Sequence, residues 1–410
     1  MNERMVIVDG VRTPFCKTGT DLSTFPADEL GRIAVNALLT RTGLDPGLID
    51  EVIFGCVSQP AEAANVARVI SLRAGIPESV PAATVHRNCA SGFEAFTTAC
   101  ERMAAGRGSI YVVGGTESMS HVPLLFQDAT ARKFADLARS KSTAQKLAAL
   151  THFRMADFAP VAGLRLGLTD PVSGLNMGET AELLAREDGI TREQQDAFAL
   201  QSHQRALAAE ARLAEEICPV YVDGKALLRD NGPRAGQSMA VLGNLRPVFE
   251  KYGTVTAGNS SQITDGAVAL LVMAESRARD LGFHPLGAVT AYAYAGCDPA
   301  RMGLGPVAAI ERLGRWSKLT LADADLVEIN EAFAAQVLAV LRRLRPEIPP
   351  EKLNVNGGAI ALGHPVGATG ARLILTSLKE LARRGAKRAL VSLCVGGGQG
   401  GAIWVERIQP

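Results

Sequence analysis

The chain has 410 residues, 47% of them hydrophobic and 21% charged, with 43 Lys and Arg against 42 Asp and Glu. A formal charge of +1 gives no global attraction to nucleic acid, and no apolar run reaches the ~20 residues of a bilayer-spanning helix. Glycine is abundant at 41 residues and aromatics are sparse at 5%, which suits an α/β protein of roughly two or three domains with tight loops and close backbone approaches.

Strands and helices alternate from the start. Met5–Asp9 reads as a strand, Asp28–Arg41 as an amphipathic helix stopped by Gly43, and Glu51–Val57 as a strand. Asn65–Ala74 reads as a helix, Ala82–His86 as a strand, Ser91–Ala105 as a helix, and Ile110–Val113 as a strand ending at Gly114-Gly115. This order predicts a parallel sheet with both faces covered. Residues 122–251 differ, with helices over Gly178–Glu187 and Thr191–Ala214 and then irregular Pro- and Gly-bearing sequence, so an inserted loop domain is expected. Its first part, His121–Gly167, carries seven Lys or Arg against three Asp, interleaved with Phe134, Leu137, Leu147, Leu150 and Phe153. That pattern fits a solvated amphipathic surface, or a face for anionic lipid, a nucleotide-like group or a partner. The alternation then resumes. Strands are expected at Gly287–Ala295, Leu326–Ile329, Arg388–Cys394 and Gly401–Arg407, and helices at Ala308–Leu313, Glu331–Leu344 and Gly367–Arg384.

Residues 89–115 and 364–398 each run motif, helix, basic-glycine turn, strand, Gly-Gly, which suggests a duplicated α/β unit whose active loops meet between the halves. The expected domains are 1–121 plus 252–283, 122–251 and 284–410. Seven cysteines and six histidines are scattered without a CxxC, and His86 with Cys89 has no second ligand pair. Neither a disulfide framework nor a metal site is expected, and a reducing, cytoplasmic setting fits. A strand pattern beginning at once leaves no room for a leader, and ERIQP is not a peroxisomal tripeptide.

The chemistry gathers at element ends. Cys89 precedes a helix, where unpaired N–H groups and the helix dipole are expected to favour its thiolate; an inert buried thiol is the alternative. His364, in Gly-His-Pro before another helix, suits a general base or an oxyanion donor. Cys394 ends a strand beside Gly396, whose backbone amide can stabilise an oxyanion. Glycines 396, 398 and 401 match GxGxxG, but the residues after Gly401 read as strand and no acidic residue lies ~20 residues on, so a dinucleotide site is rejected. Asn330 follows a strand, where it can cap the next helix or position a water or carbonyl. Two thiols, an imidazole and an amide form an acyl-transfer set.

Over nearly its whole length the chain resembles the thiolase family, through VRTPF (11–15), NCASGFEA (88–95), GGTESMS (114–120), NMGETAE (176–182), LRPVF (245–249), GTVTAGNSSQITDGA (253–267), NEAFA (330–334), NVNGGAIALGHPVGATGAR (354–372) and CVGGGQGGA (394–402). The resemblance implies a five-layered αβαβα fold of two duplicated halves with an inserted loop domain that holds coenzyme A. It implies Cys89 as the acyl-carrying nucleophile, His364 as its base, and Asn330 as the holder of an oxyanion water. Cys394 is implied as the second acid/base, and Gly396 with Cys89 as a second oxyanion hole. Ser261 and Ala257 match positions that touch pantetheine, and Met177 and Phe333 match the acyl-pocket lining. CoA is then a substrate, with no permanently bound cofactor. Many short-chain thiolases have His where Asn176 stands. Segment 122–167 is similar to that of the thiolase subunit of fatty-acid oxidation complexes, which commonly has His in place of Asn330. A homodimer or homotetramer, a subunit of such a complex, and a membrane-surface contact through 122–167 are the expected associations. A non-catalytic acyl-CoA- or lipid-binding relative is the alternative function.

Overall fold

The computed structural model describes residues 3–408. It divides into two compact units, one formed by the chain up to His121 and from Asp170 onward, the other by Val122–Thr169. The segment 170–251, expected with the loop domain, belongs to the larger unit.

In the larger unit the strands of the main sheet, in chain order, are β1 Met5–Arg12, β2 Glu51–Gly55, β3 Ala82–Val85, β4 Ile110–Glu117, β5 Thr264–Ala274, β6 Gly287–Gly296, β7 Leu326–Ile329, β8 Arg388–Val395 and β9 Gln399–Arg407. They form one hydrogen-bonded sheet in the order β7-β8-β9-β6-β1-β5-β4-β2-β3, with the short strand Cys16–Lys17 against β5. The sheet is mixed, not parallel as expected. Only β2 with β3 and β4, and β7 with β8, are parallel. The glycine turn between β8 and β9 explains part of this, because so short a connection joins only antiparallel neighbours.

The duplication is visible in the strand order. β3-β2-β4-β5-β1 is repeated by β7-β8-β9-β6, with Leu353 bridging Val327 in parallel where the fifth strand stands. The halves join edge to edge at only two pairs, Val6 with Ala288 and Ile7 with Gly287.

Eight helices complete the layers: α1 Ala27–Thr42, α2 Val66–Arg73, α3 Ser91–Ala104, α4 Met177–Glu187, α5 Arg192–Ala208, α6 Gly305–Ser317, α7 Ala334–Arg343 and α8 Val366–Arg384. Period-2 alternation assigns each strand face. Ala267, Ala269, Leu271 and Met273 of β5 pack with α1 and α2, whereas Val268, Leu270 and Val272 pack with α3 and α8. Val391, Leu393, Ile403 and Val405 of the second half reach the same α3/α8 core, while Leu390 and Trp404 face α6 and α7. The order is helices, sheet, helices, sheet, helices, so the five layers expected from the sequence are present. Helices α3 and α8 are the buried middle layer.

Three local differences have physical causes. β4 runs through Gly114-Gly115 to Glu117 instead of ending there. These glycines are strand residues because a Cβ at Gly114 would overlap Val268 O, and one at Gly115 would lie 2.6 Å from Gly367 C. The helix expected from Glu331 starts at Ala334, because the preceding residues are tied elsewhere: Phe333 is extended and bridges Ser260, and Ser261 N donates to Ala332 O. Asn330 therefore caps no helix. The stretch 191–214 breaks at Ala209 into α5 and a short helix, Glu210–Ala214.

In the smaller unit, Leu124–Leu125 pairs with Val161–Ala162, and helices Asp128–Arg139 and Thr143–Leu150 lie between them in sequence. Phe126, Phe134, Phe153 and Phe158 form an aromatic cluster with centroids 4.9–6.3 Å apart. Met155, at 89% exposure, and the exposed Leu124, Leu147, Leu150 and Leu166 lie outside it.

Candidate active site

Cys89 sits in the turn between β3 and α3. Asn88 adopts a left-handed φ of 43°, and its Nδ2 donates to Gly396 O at 2.7 Å. Ser91 Oγ closes the turn by accepting from Arg87 N at 2.9 Å and donating to Asn88 O at 2.7 Å. Arg87 is fixed in turn by Glu94 and by the ring of Tyr294, 4.1 Å away. The expected depression of the Cys89 pKa is not found. Cys89 precedes the cap residue Ala90 and so stands outside the first helical turn. Burial pushes its thiol up, opposed only in part by the N–H groups of Gly396 and of Cys89 itself. Burial thus favours the neutral thiol over the thiolate at this position.

His364 lies in the turn before α8. Its N–H donates to Gln262 O at 3.0 Å, and Nδ1 lies 2.7 Å from Thr369 Oγ1. Nε2 is buried without a hydrogen-bond partner. Burial, and then the positive charge of Arg372, lower its pKa to about 4, so the ring is neutral near pH 7. α3 and α8 touch at their N-terminal ends: a Cβ at Gly92 would lie 2.7 Å from Ala371 N and 3.0 Å from Gly367 O. The loops bearing Cys89 and His364 thus enter the same crossing. Glu117 at the end of β4 ties that crossing down, accepting from Val57 N, Ser58 N and Gly367 N at 2.8–3.1 Å.

Cys394, fully buried near the end of β8, is close enough to Cys89 to feel its charge. Burial pushes its thiol well up, and the Cys89 charge adds to this. Gly396 faces Met177, whose Sδ would be 3.5 Å from a Cβ there. Met177 and Phe249 pack with Cys394, Met302 and Phe333 in one apolar cluster, and the Phe249 and Phe333 rings are 5.9 Å apart. Asn330 follows β7, bonded through its N–H to Ser392 O, and both atoms of its buried amide lack partners. An unpartnered buried amide is costly unless water or a ligand group completes it. Ser261 is part-buried beside Ala332, whereas Ala257 is exposed in the same 256–262 segment. Asn176 caps α4, accepting from Gly178 N and Glu179 N at 3.0 Å, so its side chain is used structurally.

Residues 5–276 match the thiolase N-terminal domain model and residues 283–407 the thiolase C-terminal domain model. The chain belongs to the thiolase family. It is 43% identical to an acetyl-CoA acetyltransferase of Allochromatium vinosum over 100% of both chains. It is 40% identical to a probable acetyl-CoA acyltransferase of Staphylococcus aureus, over 98% of this chain and 99% of that one. Among solved structures it is similar to the Bacillus anthracis acetyl-CoA acetyltransferase, at TM-score 0.90 and 37% identity over 100% of each chain. It is also similar to human mitochondrial 3-ketoacyl-CoA thiolase in complex with CoA, at TM-score 0.89 and 38% identity over 99% and 98%.

For this thiolase-family chain the structure adds residues that sequence reasoning missed. Asn88, Glu117, Gln262 and Thr369 all lie inside the matched motifs, yet only contacts distant in sequence, or a ring orientation, reveal what they hold. Among the described residues no group of three or more His, Cys, Asp or Glu is arranged to hold a metal ion, and no helix is long and apolar enough to cross a membrane.

Proposed function

We propose that this chain is an acetyl-CoA C-acyltransferase, cleaving 3-oxoacyl-CoA with CoA to acetyl-CoA and a shortened acyl-CoA, and running the reverse Claisen condensation. The observation that carries the reading is the pair of thiols: Cys89 beside the Gly396 N–H, and Cys394 within reach of the Cys89 charge. His364 Nε2 takes the Cys89 proton, and the thiolate attacks the 3-keto carbonyl. Asn330, through a water, and His364 steady the first oxyanion; the N–H groups of Cys89 and Gly396 steady the thioester oxygen. Carbon–carbon cleavage releases an acetyl-CoA enolate, which Cys394 protonates. Cys394 then removes the proton of an incoming CoA thiol, which takes the acyl group from Cys89. In condensation Cys394 instead makes the carbanion, a task that a mere acyl-CoA-binding protein would not need.

Met177 and Phe333 line the acyl side, and Ser261 and Ala257 flank the pantetheine. The chemistry is closed by two thiols and an imidazole, so no permanently bound cofactor is required. Among the described residues the outer edge of β3 has no strand partner, which supports a homo-oligomer by edge pairing. The basic, leucine-bearing segment 122–167 is the candidate contact for an anionic membrane surface or an oxidation-complex partner. Seven free cysteines fit a reducing compartment such as the cytoplasm.

The test is Cys89→Ala assayed by thiolysis of acetoacetyl-CoA and longer 3-oxoacyl-CoAs. The expected result is loss of at least ~10⁴-fold in kcat with an unchanged melting temperature. A folded wild type inert on every chain length would overturn the reading.

A further inference from the structure

We propose, on the reading of His364 as the base of Cys89, that Thr369 is a positioning residue that fixes the His364 tautomer and so makes Nε2 the basic nitrogen. Thr369 is in the first turn of α8. Its Oγ1 lies 3.0 Å from Pro365 O and 2.7 Å from His364 Nδ1. A carbonyl oxygen only accepts, so the Pro365 contact is made with the hydroxyl proton, beside the N–H groups of Ala368 and Thr369 that Pro365 O also accepts. The hydroxyl oxygen then meets the ring as an acceptor, and Nδ1 must carry the ring N–H. A neutral imidazole has one such proton, so Nε2 is left as a bare lone pair.

The surroundings agree with this assignment. Nε2 is buried and has no protein partner, so an N–H placed there would have nothing to donate to. The opposite arrangement, with the threonine proton on Nδ1, gives up the Pro365 bond, strands that N–H, and leaves no site for a thiol proton. The backbone also holds the ring: His364 N is bonded to Gln262 O, and Gly363 takes a φ of 101° that few side-chain-bearing residues adopt. Burial and Arg372 keep the ring neutral, the state in which the choice of tautomer matters.

The proton step balances with no further reagent. The Cys89 S–H bond breaks, its electron pair stays on sulfur, and the proton bonds to Nε2. The imidazolium keeps its Nδ1–H on Thr369, so the hydroxyl serves both protonation states without moving.

The test compares wild type with Thr369→Val, similar in shape but lacking the hydroxyl, and Thr369→Ser, which keeps it. Nitrogen-15 NMR of histidine-labelled protein, with His364 assigned by its loss in His364→Asn, should show Nδ1–H and a bare Nε2 in wild type. Thr369→Val should lower both kcat and the rate of Cys89 alkylation by limiting iodoacetamide about 10- to 100-fold with little change in KM, and Thr369→Ser should restore both. A wild-type Nε2–H tautomer, a fully active valine variant, or equal damage by valine and serine would overturn the assignment. If the valine variant fails to fold, or wild type shows no thiolysis at all, the wild-type tautomer decides on its own, independently of the proposed reaction.

Discussion

The neutral state of buried His364 has a consequence for stability that can be measured without turnover. In the unfolded chain its imidazole has the ordinary value of 6.5; in the folded protein burial and Arg372 lower this to about 4. A folded-state value below the unfolded one contributes stability that is complete above pH 6.5 and is lost as pH falls towards 4, because the unfolded chain takes up the proton first. The full gap corresponds to about 3 kcal/mol, of which about 2 kcal/mol is lost by pH 5. His364→Asn removes this term. His203, also lowered to about 4 by burial and Arg234, remains in both proteins and cancels in the comparison. Equilibrium urea unfolding, followed by fluorescence of the buried Trp404 and the exposed Trp316 at fixed protein concentration, provides the measurement. Between pH 7.5 and pH 5 the wild type should lose about 2 kcal/mol more than the variant. Parallel losses would show that folded His364 already takes up protons near pH 6.5, and the picture of a buried, neutral base would fail.

Packing and surface charge each predict a further outcome. Gly115→Ala places a methyl group against the backbone of Gly367 at the α3/α8 crossing, where neither strand nor helix can yield. It should cost at least ~1–3 kcal/mol and lower the melting temperature by several degrees, whereas Gly243→Ala, in a short helix with open space around it, should be neutral or slightly stabilising. For segment 122–167, flotation with phosphatidylglycerol vesicles at low salt should carry the protein upward, and both high salt and neutral vesicles should abolish this; equal flotation on neutral and anionic vesicles, or none, would remove the electrostatic membrane contact.

Much of the architecture was legible because it rests on local rules. Helix α1 with its Gly43 stop, and α8 as far as Arg384, follow from apolar spacing and a left-handed terminal glycine. The repeat between 89–115 and 364–398 anticipated that α3 and α8 are equivalent buried helices. Strand direction was not legible. Periodicity is the same in parallel and antiparallel strands; the shortness of the glycine turn between β8 and β9 signals one reversal, but no pattern of apolar residues records the reversal at β5.

The site divides along the same line. Residue types at element ends pointed to Cys89, His364, Asn330 and Cys394, but the sign of the Cys89 shift was wrong, because a helix-dipole rule applied to a sequence contains no term for burial. In the fold, desolvation of the sulfur outweighs its two N–H neighbours. That reversal changes what the neighbours must do. A thiol that ionised spontaneously would need no base, and His364 could serve as an oxyanion donor alone. A thiol held neutral needs an acceptor that is itself neutral and correctly protonated. The lowered pKa of His364 meets the first condition, and the hydroxyl of Thr369, five residues further along the chain, meets the second. The glycines around 92, 115, 367 and 370 let the two helix ends approach closely enough for these groups to share one crossing. Part of the excess glycine in the composition is the physical requirement of bringing two halves of a duplicated fold into contact at their reactive loops.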